Sequence, residues 1–247
     1  MMWFLGALLS CSDGLLVKHT IEEKYVYPSY YDVWVETDTA VIEVPVDDTG
    51  TNPIWVDSFE QPNASAGVDI LWVIDPSGSM HSHRTRLLQG INDMMGAMPA
   101  VSWRLAIISA DPTYAVNDSN FPLLPGDSAA DAQTMYSNSV MGGREQGFEA
   151  AYAYIENNAM ASSWMREDAS LLIVFVSDEE EQSDTMFPAV SNFTDWLDEQ
   201  RSSVYVASIV NHEQAVSVCT YVNPMYVGYR YMDAATYYSG QILDICS

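Results

Sequence analysis

An aspartate and two serines at alternate positions, Asp75-Pro-Ser77-Gly-Ser79, follow directly on an apolar run of strand length at 68–74. One carboxylate and two hydroxyls on a single tight loop are hard oxygen donors, suited to magnesium, calcium or manganese rather than to zinc or copper. By itself Asp-x-Ser-x-Ser is frequent in serine-rich turns. Its place between a buried strand and a helical pattern gives it weight. A second apolar run, Leu-Leu-Ile-Val-Phe-Val-Ser at 171–177, ends in another carboxylate, Asp178. Side chains at the carboxyl ends of neighbouring central strands converge where an open parallel sheet binds its ligands. Two such strands that each end in Asp can therefore serve one ion. The plain alternative is that both acids merely cap the segments that follow.

Together these residues resemble the metal-ion-dependent adhesion site (MIDAS) of a von Willebrand factor A (VWA) domain. The resemblance covers residues 68–246 and implies a third contribution from a Gly-rich loop, where most of the family carries a threonine. The corresponding stretch here, Met141-Gly-Gly-Arg-Glu-Gln-Gly-Phe148, has none. Glu145 is the donor expected in its place, as in some relatives that include integrin β-type domains, and Gln146 is the weaker candidate. Alternatively, Glu145 only favours a helix N-terminus through the macrodipole. The resemblance thus implies a non-enzymatic adhesion module in which Asp75, Ser77, Ser79, Glu145 and Asp178 hold a divalent cation, directly or through water. Magnesium is the expected ion, with calcium or manganese as alternatives that a third carboxylate would favour. A carboxylate from a partner protein would fill the open coordination position.

Positioning these groups requires particular elements. From Val68 onward strand and helix patterns alternate, which predicts an α/β fold: a doubly wound, mostly parallel sheet with helices on both faces. Leu87, Leu88, Ile91, Met94, Met95 and Met98 fall at helical spacing, closed by Pro99. A strand is expected at 103–109, a turn-rich stretch at 110–126, and a helix over 127–138. Phe148, Ala151, Tyr152 and Ile155 mark a further helix, and Phe193, Trp196 and Leu197 another. A strand at 204–210, a helix over 232–238 and a terminal strand at 242–245 complete the pattern. Residues 12–66 differ, with β-branched alternation at 33–35 and 40–46 among polar residues, and read as a partly β stalk before a domain at 67–247.

The 247 residues carry 34 acidic against 9 basic side chains, a net charge of −25, which repels nucleic acid and anionic membrane surfaces as partners. Hydrophobic residues make up 48%, enough for a full core and too many for global disorder. Residues 1–11 are apolar and end in Leu-Leu-Ser-Cys, which resembles a bacterial lipobox with Cys11 as the lipidated residue, although no Lys or Arg precedes the apolar stretch. A truncated ordinary signal peptide is the rival reading. A lipid on Cys11 would be the protein's link to a membrane and would place it at the cell envelope. Cys219 and Cys246 then remain, an even pair that suggests a disulfide in an exported chain; in the cytosol they would be reduced thiols.

Competing chemistry finds little support. His81 and His83 lack the four-residue spacing of a helical metal pair and read as solvated residues of a helix start. Glu179-Glu180-Glu181 reads as a solvated acidic rim, with a second calcium site as the alternative. A haloacid-dehalogenase-like phosphatase needs an Asp where Ser77 stands, and neither a Gly-x-Ser-x-Gly elbow nor a Gly-x-x-x-x-Gly-Lys loop occurs. A metal that only stabilises the fold remains as a non-catalytic alternative.

Overall fold

The computed structural model describes residues 67–98 and 102–247, together with the backbone of two short strands, β1 (Val33–Glu36) and β2 (Thr39–Ile42). These two pair antiparallel and belong to a separate unit. The expectations for residues 1–11, for Cys11 and for the rest of 12–66 lie outside the described residues.

The main unit runs β3 (Val68–Ile74), α1 (Arg84–Ala97), β4 (Trp103–Ser109), α2 (Pro112–Ala115), α3 (Ala129–Ser139), α4 (Gly147–Asn157), α5 (Ala161–Trp164), β5 (Ser170–Ser177), α6 (Val190–Asp198), β6 (Val204–Val210), α7 (Tyr229–Tyr237) and β7 (Ile242–Asp244). The strands form one parallel sheet in the order β4-β3-β5-β6-β7. Beyond β4, Leu123 makes a single antiparallel bridge to Leu105. Chain order reverses between β3 and β5, so the crevice at their carboxyl ends is the topological switch point where such sheets bind ligands.

Alternate residues of the central strands feed two cores, as a period of two requires. Leu71, Val73, Ile173 and Phe175 pack against α4, α6 and α7, whereas Ile70, Trp72, Val174 and Val176 pack against α1 and α3. Helices therefore cover both faces, as the strand and helix alternation predicts. The first core is aromatic: Phe148 stacks on Phe193 at 4.1 Å and meets Phe175 edge-on at 5.3 Å. At the amino end of β3, buried Asp69 takes the main-chain N–H of Arg166 at 2.6 Å and its Nε and Nη2, a forked pair that fixes the edge opposite the crevice.

Several boundaries shift for local reasons. The helix expected over 127–138 starts at Ala129 because Ser128 and Asp131 form a capping box. Inside the turn-rich 110–126 stretch, Asp111 caps a one-turn helix that begins with Pro112. The helix expected at 232–238 begins at Tyr229, where Glu180 takes its first two N–H groups.

Candidate metal centre

The strand register places the expected acids together. Ile74 lies opposite Ser109 and Val176, and Asp75 N–H continues the ladder to Val176 O at 2.9 Å. Asp75 is fully buried, yet both its oxygens are partnered. Oδ1 accepts the Ser77 N–H at 2.7 Å, and Oδ2 accepts the Ser177 hydroxyl at 2.6 Å. The first bond is an Asx turn that folds the loop back on its own acid. Met80, 2% exposed, drives the following 3-10 turn into the core and so fixes the two serines ahead of it. Ser77 Oγ and Ser79 Oγ share a hydrogen bond at 2.8 Å, and Ser79 Oγ donates to Asp178 Oδ1 at 2.9 Å. Asp75, Ser77, Ser79 and Asp178 are thus linked in one hydrogen-bonded chain across two strand ends, its first link made by the Ser77 main-chain N–H. Asn211 at the end of β6 donates to Asp178 O from the other side.

The Gly-rich loop is held against β4. Ser109 Oγ donates to Met141 O at 2.6 Å, Gln146 N–H donates to Ala110 O at 3.1 Å, and Gly143 N–H donates to Asp111 Oδ2 at 3.3 Å. Gly142 has φ +116°, and a Cβ there would lie 2.6 Å from Asp111 Oδ2, so no other residue fits this approach. Glu145 is tied to Gln182, whose Nε2 donates to its Oε2 at 3.1 Å and whose N–H donates to its carbonyl at 2.8 Å. Burial raises the Glu145 pKa, and the charges of Asp75, Glu179 and Asp178 raise it further. Burial likewise pushes up Asp75, with Asp178 adding to it, and Glu179, with Asp75 and Asp178 adding to it. Four carboxylates therefore share one field, including Glu179, which the sequence gives no reason to separate from its neighbours.

That acidic triplet is not a uniform solvated rim. The Glu179 carboxylate feels the charges of Asp75 and Asp178. Glu180 takes the N–H groups of Tyr229 and Arg230, both at 3.1 Å, and caps α7. Glu181 is only 2% exposed, pairs with Arg230 Nη1 at 3.2 Å, and accepts the N–H groups of Phe148 and Ser183. Burial raises its pKa to about 7 in spite of the arginine. Of the two histidines, His81 is exposed in the 3-10 turn while His83 is partly buried.

The donor set fits a hard divalent cation. All its atoms are oxygens, and among the described residues no Lys or Arg forms an ion pair with Asp75, Glu145, Asp178 or Glu179. Neighbouring carboxylates add to the upward shifts of Asp75, Glu145 and Glu179, where a cation would lower them. Gln146 Oε1 in the same loop is buried with no hydrogen-bond partner. The carboxylate oxygens of Asp75, Asp178 and Glu145 do not crowd into one cluster: among the described residues, the group of Cys, His, Asp or Glu donors within 4.8 Å of one another is Cys219, Asp244 and Cys246. In that group the two sulfurs are joined in a disulfide, as the even cysteine pair suggests for an exported chain.

A parallel sheet reversing at β3 and β5, with Asp-x-Ser-x-Ser after one strand and Asp178 after the other, is the doubly wound architecture of a VWA-like fold. No protein-family model and no curated protein sequence matches the chain. Among solved structures, it is similar to proximal thread matrix protein 1 from the mussel byssus, with a zinc-occupied MIDAS motif, at 11% identity and a TM-score of 0.48 over 74% of this chain. A second crystal form of that protein gives 11% identity and a TM-score of 0.43 over 73%. The open conformation of the pilus adhesin SpaC from Lactobacillus rhamnosus GG gives 13% identity and 0.47 over 74%. The matches span 42% of the byssus protein and 28% of the adhesin, so this chain covers less than half of either.

Proposed function

We propose that this domain is a non-enzymatic, metal-dependent protein-binding module of the adhesion type. Asp75, Ser77, Ser79 and Asp178 hold a divalent cation, Glu145 and Glu179 supply further negative charge, and a carboxylate of a partner protein completes the coordination. The observation that carries this reading is the hydrogen-bonded chain from Asp75 through Ser77 and Ser79 to Asp178, beside acids with which no Lys or Arg among the described residues forms an ion pair. The bound ion would act here as a fixed positive charge that recognises an anion. The two loop hydroxyls bond to each other and Ser79 donates to Asp178, which gathers hard oxygen donors side by side as a cation site needs.

In this reading Cys11 carries the lipid, residues 12–66 form a stalk, and residues 67–247 face outward at the cell envelope. No helix among the described residues is long and apolar enough to cross a membrane.

Calorimetric titration with magnesium, calcium and manganese tests the site. The wild-type chain is expected to bind, and Asp75→Asn and Asp178→Asn to lose binding while still melting cooperatively. Ion saturation at a hundredfold above the Kd should stabilise the wild type by about 2.7 kcal/mol, and neither variant. Unchanged affinity in both variants would eliminate the site. A protein that binds the ion, yet takes up no carboxylate ligand in its presence, would leave the ion a purely structural part of the fold.

A further inference from the structure

The segment from Asn211 to Gly228 leaves β6 at the same carboxyl edge that carries the metal loop, and its ends are closed on each other. Gly228 N–H donates to Asn211 O at 3.1 Å, and Tyr229 OH donates to Glu213 Oε1 at 2.9 Å. Compact surface loops with joined ends are often functional. This loop has its own anchors, since Val222 and Val227 are 3% and 2% exposed. Other apolar residues in it are turned outward: Met225 is 79% exposed, Tyr221 75%, Val216 69% and Val218 67%. They do not serve the core. From Gln214 to Gly228 no residue is charged, in a chain of net charge −25. Aromatic and methionine side chains with charge depleted are the composition of an interface centre, and exposed apolar patches of this kind mark interaction sites.

The loop is pinned in place with these side chains outward. Cys219 is joined to Cys246 just beyond β7, and Val218 N–H donates to Asp244 Oδ2 at 2.6 Å. Both ends of the loop are also bonded to the metal edge: Asn211 Nδ2 donates to Asp178 O, and Tyr229 N–H donates to Glu180 Oε2 at 3.1 Å. The uncharged patch therefore begins where the candidate ion's last ligand ends, and Asp178, Glu180, Glu213 and Asp244 border it.

We propose that the disulfide-pinned 211–228 loop is the apolar half of the partner interface. The occupant is an extended protein segment that gives one carboxylate to the ion, lays bulky apolar side chains over Tyr221 and Met225, and carries Lys or Arg beyond them. Charge complementarity sets this order. The uncharged 214–228 stretch accepts apolar groups, and its carboxylate border repels any acid other than the one the ion neutralises. This proposal rests on the metal reading above, which supplies the carboxylate's anchor.

A random peptide library displayed on phage, panned against the full chain in magnesium chloride, tests it. The enriched peptides are then synthesised and titrated against wild type and a Tyr221→Ser/Met225→Ser variant, each with and without EDTA. Peptides with one carboxylate beside apolar residues are expected, with binding abolished by EDTA. Affinity should weaken at least about tenfold in the variant, which leaves magnesium affinity unchanged; tenfold corresponds to about 1.4 kcal/mol. EDTA-sensitive binding that the variant does not weaken overturns the loop's role and leaves the metal reading standing. Binding that needs the loop but not the ion overturns the metal reading, and this joint interface with it. Enrichment of sequences without a carboxylate also overturns the proposal. So does a concentration-dependent dimer of the wild type, seen by sedimentation and lost in the variant, because the loop would then belong to a second copy.

Discussion

The Ser177 hydroxyl donates to Asp75 Oδ2 at 2.6 Å, so the residue that ends β5 fixes the carboxylate that follows β3. Two strands distant in sequence are thereby locked at the edge where the ion would sit. Asp75 is left with its charge buried and its orientation set by Ser77 on one oxygen and Ser177 on the other. Losing a group that orients a metal ligand from behind typically costs roughly ten- to a hundredfold in metal affinity.

Ser177→Ala should lower stability by about 2 kcal/mol, because a hydrogen bond to a buried charged group is removed. Magnesium affinity should fall by about ten- to a hundredfold although no ligand has been touched. Chemical denaturation and calorimetry check the two effects separately. An unchanged affinity would mean that Ser77 alone orients Asp75.

Glu145 in the Gly-rich loop and Glu179 after β5 both feel the charges of Asp75 and Asp178. Glu145→Gln and Glu179→Gln should each weaken calcium binding more than magnesium binding, since calcium accommodates more carboxylates. Gln146→Ala separates the remaining possibility for the loop: its buried, unpartnered Oε1 makes it a donor if its removal costs as much affinity as Glu145→Gln. Calorimetry with both ions reads the order directly. Equal and negligible effects of all three changes would confine the site to the Asp75 and Asp178 loops.

Glu181 makes folding sensitive to pH. Burial raises its pKa from 4.5 to about 7 in the folded chain, so the folded state holds a proton that the unfolded state has released between those values. Its contribution to stability is therefore complete below pH 4.5, declines as pH rises to about 7, and is flat above that. The change across the window is on the order of 3 kcal/mol. Glu181→Gln should remove this slope from urea melts taken between pH 4.5 and 7.5, while the wild type keeps it. Parallel pH profiles for the two proteins would show that Arg230 holds Glu181 ionised throughout.

The disulfide closes a loop with a sequence separation of 27. Constraining the unfolded chain over that length contributes about 3.5 kcal/mol in the loop-entropy treatment. Cys219→Ser/Cys246→Ser should lower stability by a similar amount and raise hydrogen exchange in 211–228, with little change at β3 and β5. Thiol labelling of the denatured native protein provides the complementary check, since two reactive thiols would contradict the bond.

The strands and the acids that end them were legible in the sequence. An apolar run of strand length closed by Asp is a local pattern, and both Val68–Ile74 with Asp75 and the 171–177 run with Asp178 appear in the structure where that pattern puts them. The Asp-x-Ser-x-Ser turn is equally local, because its first bond joins residues two apart. The capping box at Ser128 and Asp131 lay in the sequence as well, and could have set the start of α3. Tertiary structure alone decided the division of labour among Glu179, Glu180 and Glu181. Three identical neighbours carry no distinguishing signal, and their roles come from partners far along the chain: the ion loop for the first, the amino end of α7 for the second, and Arg230 with Phe148 N–H for the third. Ser177 gained its role in the same way, through a strand pairing that brings it level with a residue 102 positions earlier. The outward turn of Tyr221 and Met225 likewise followed from closure of the loop and from the disulfide. Apolar residues in sequence read as core until the fold shows which of them have no core to enter.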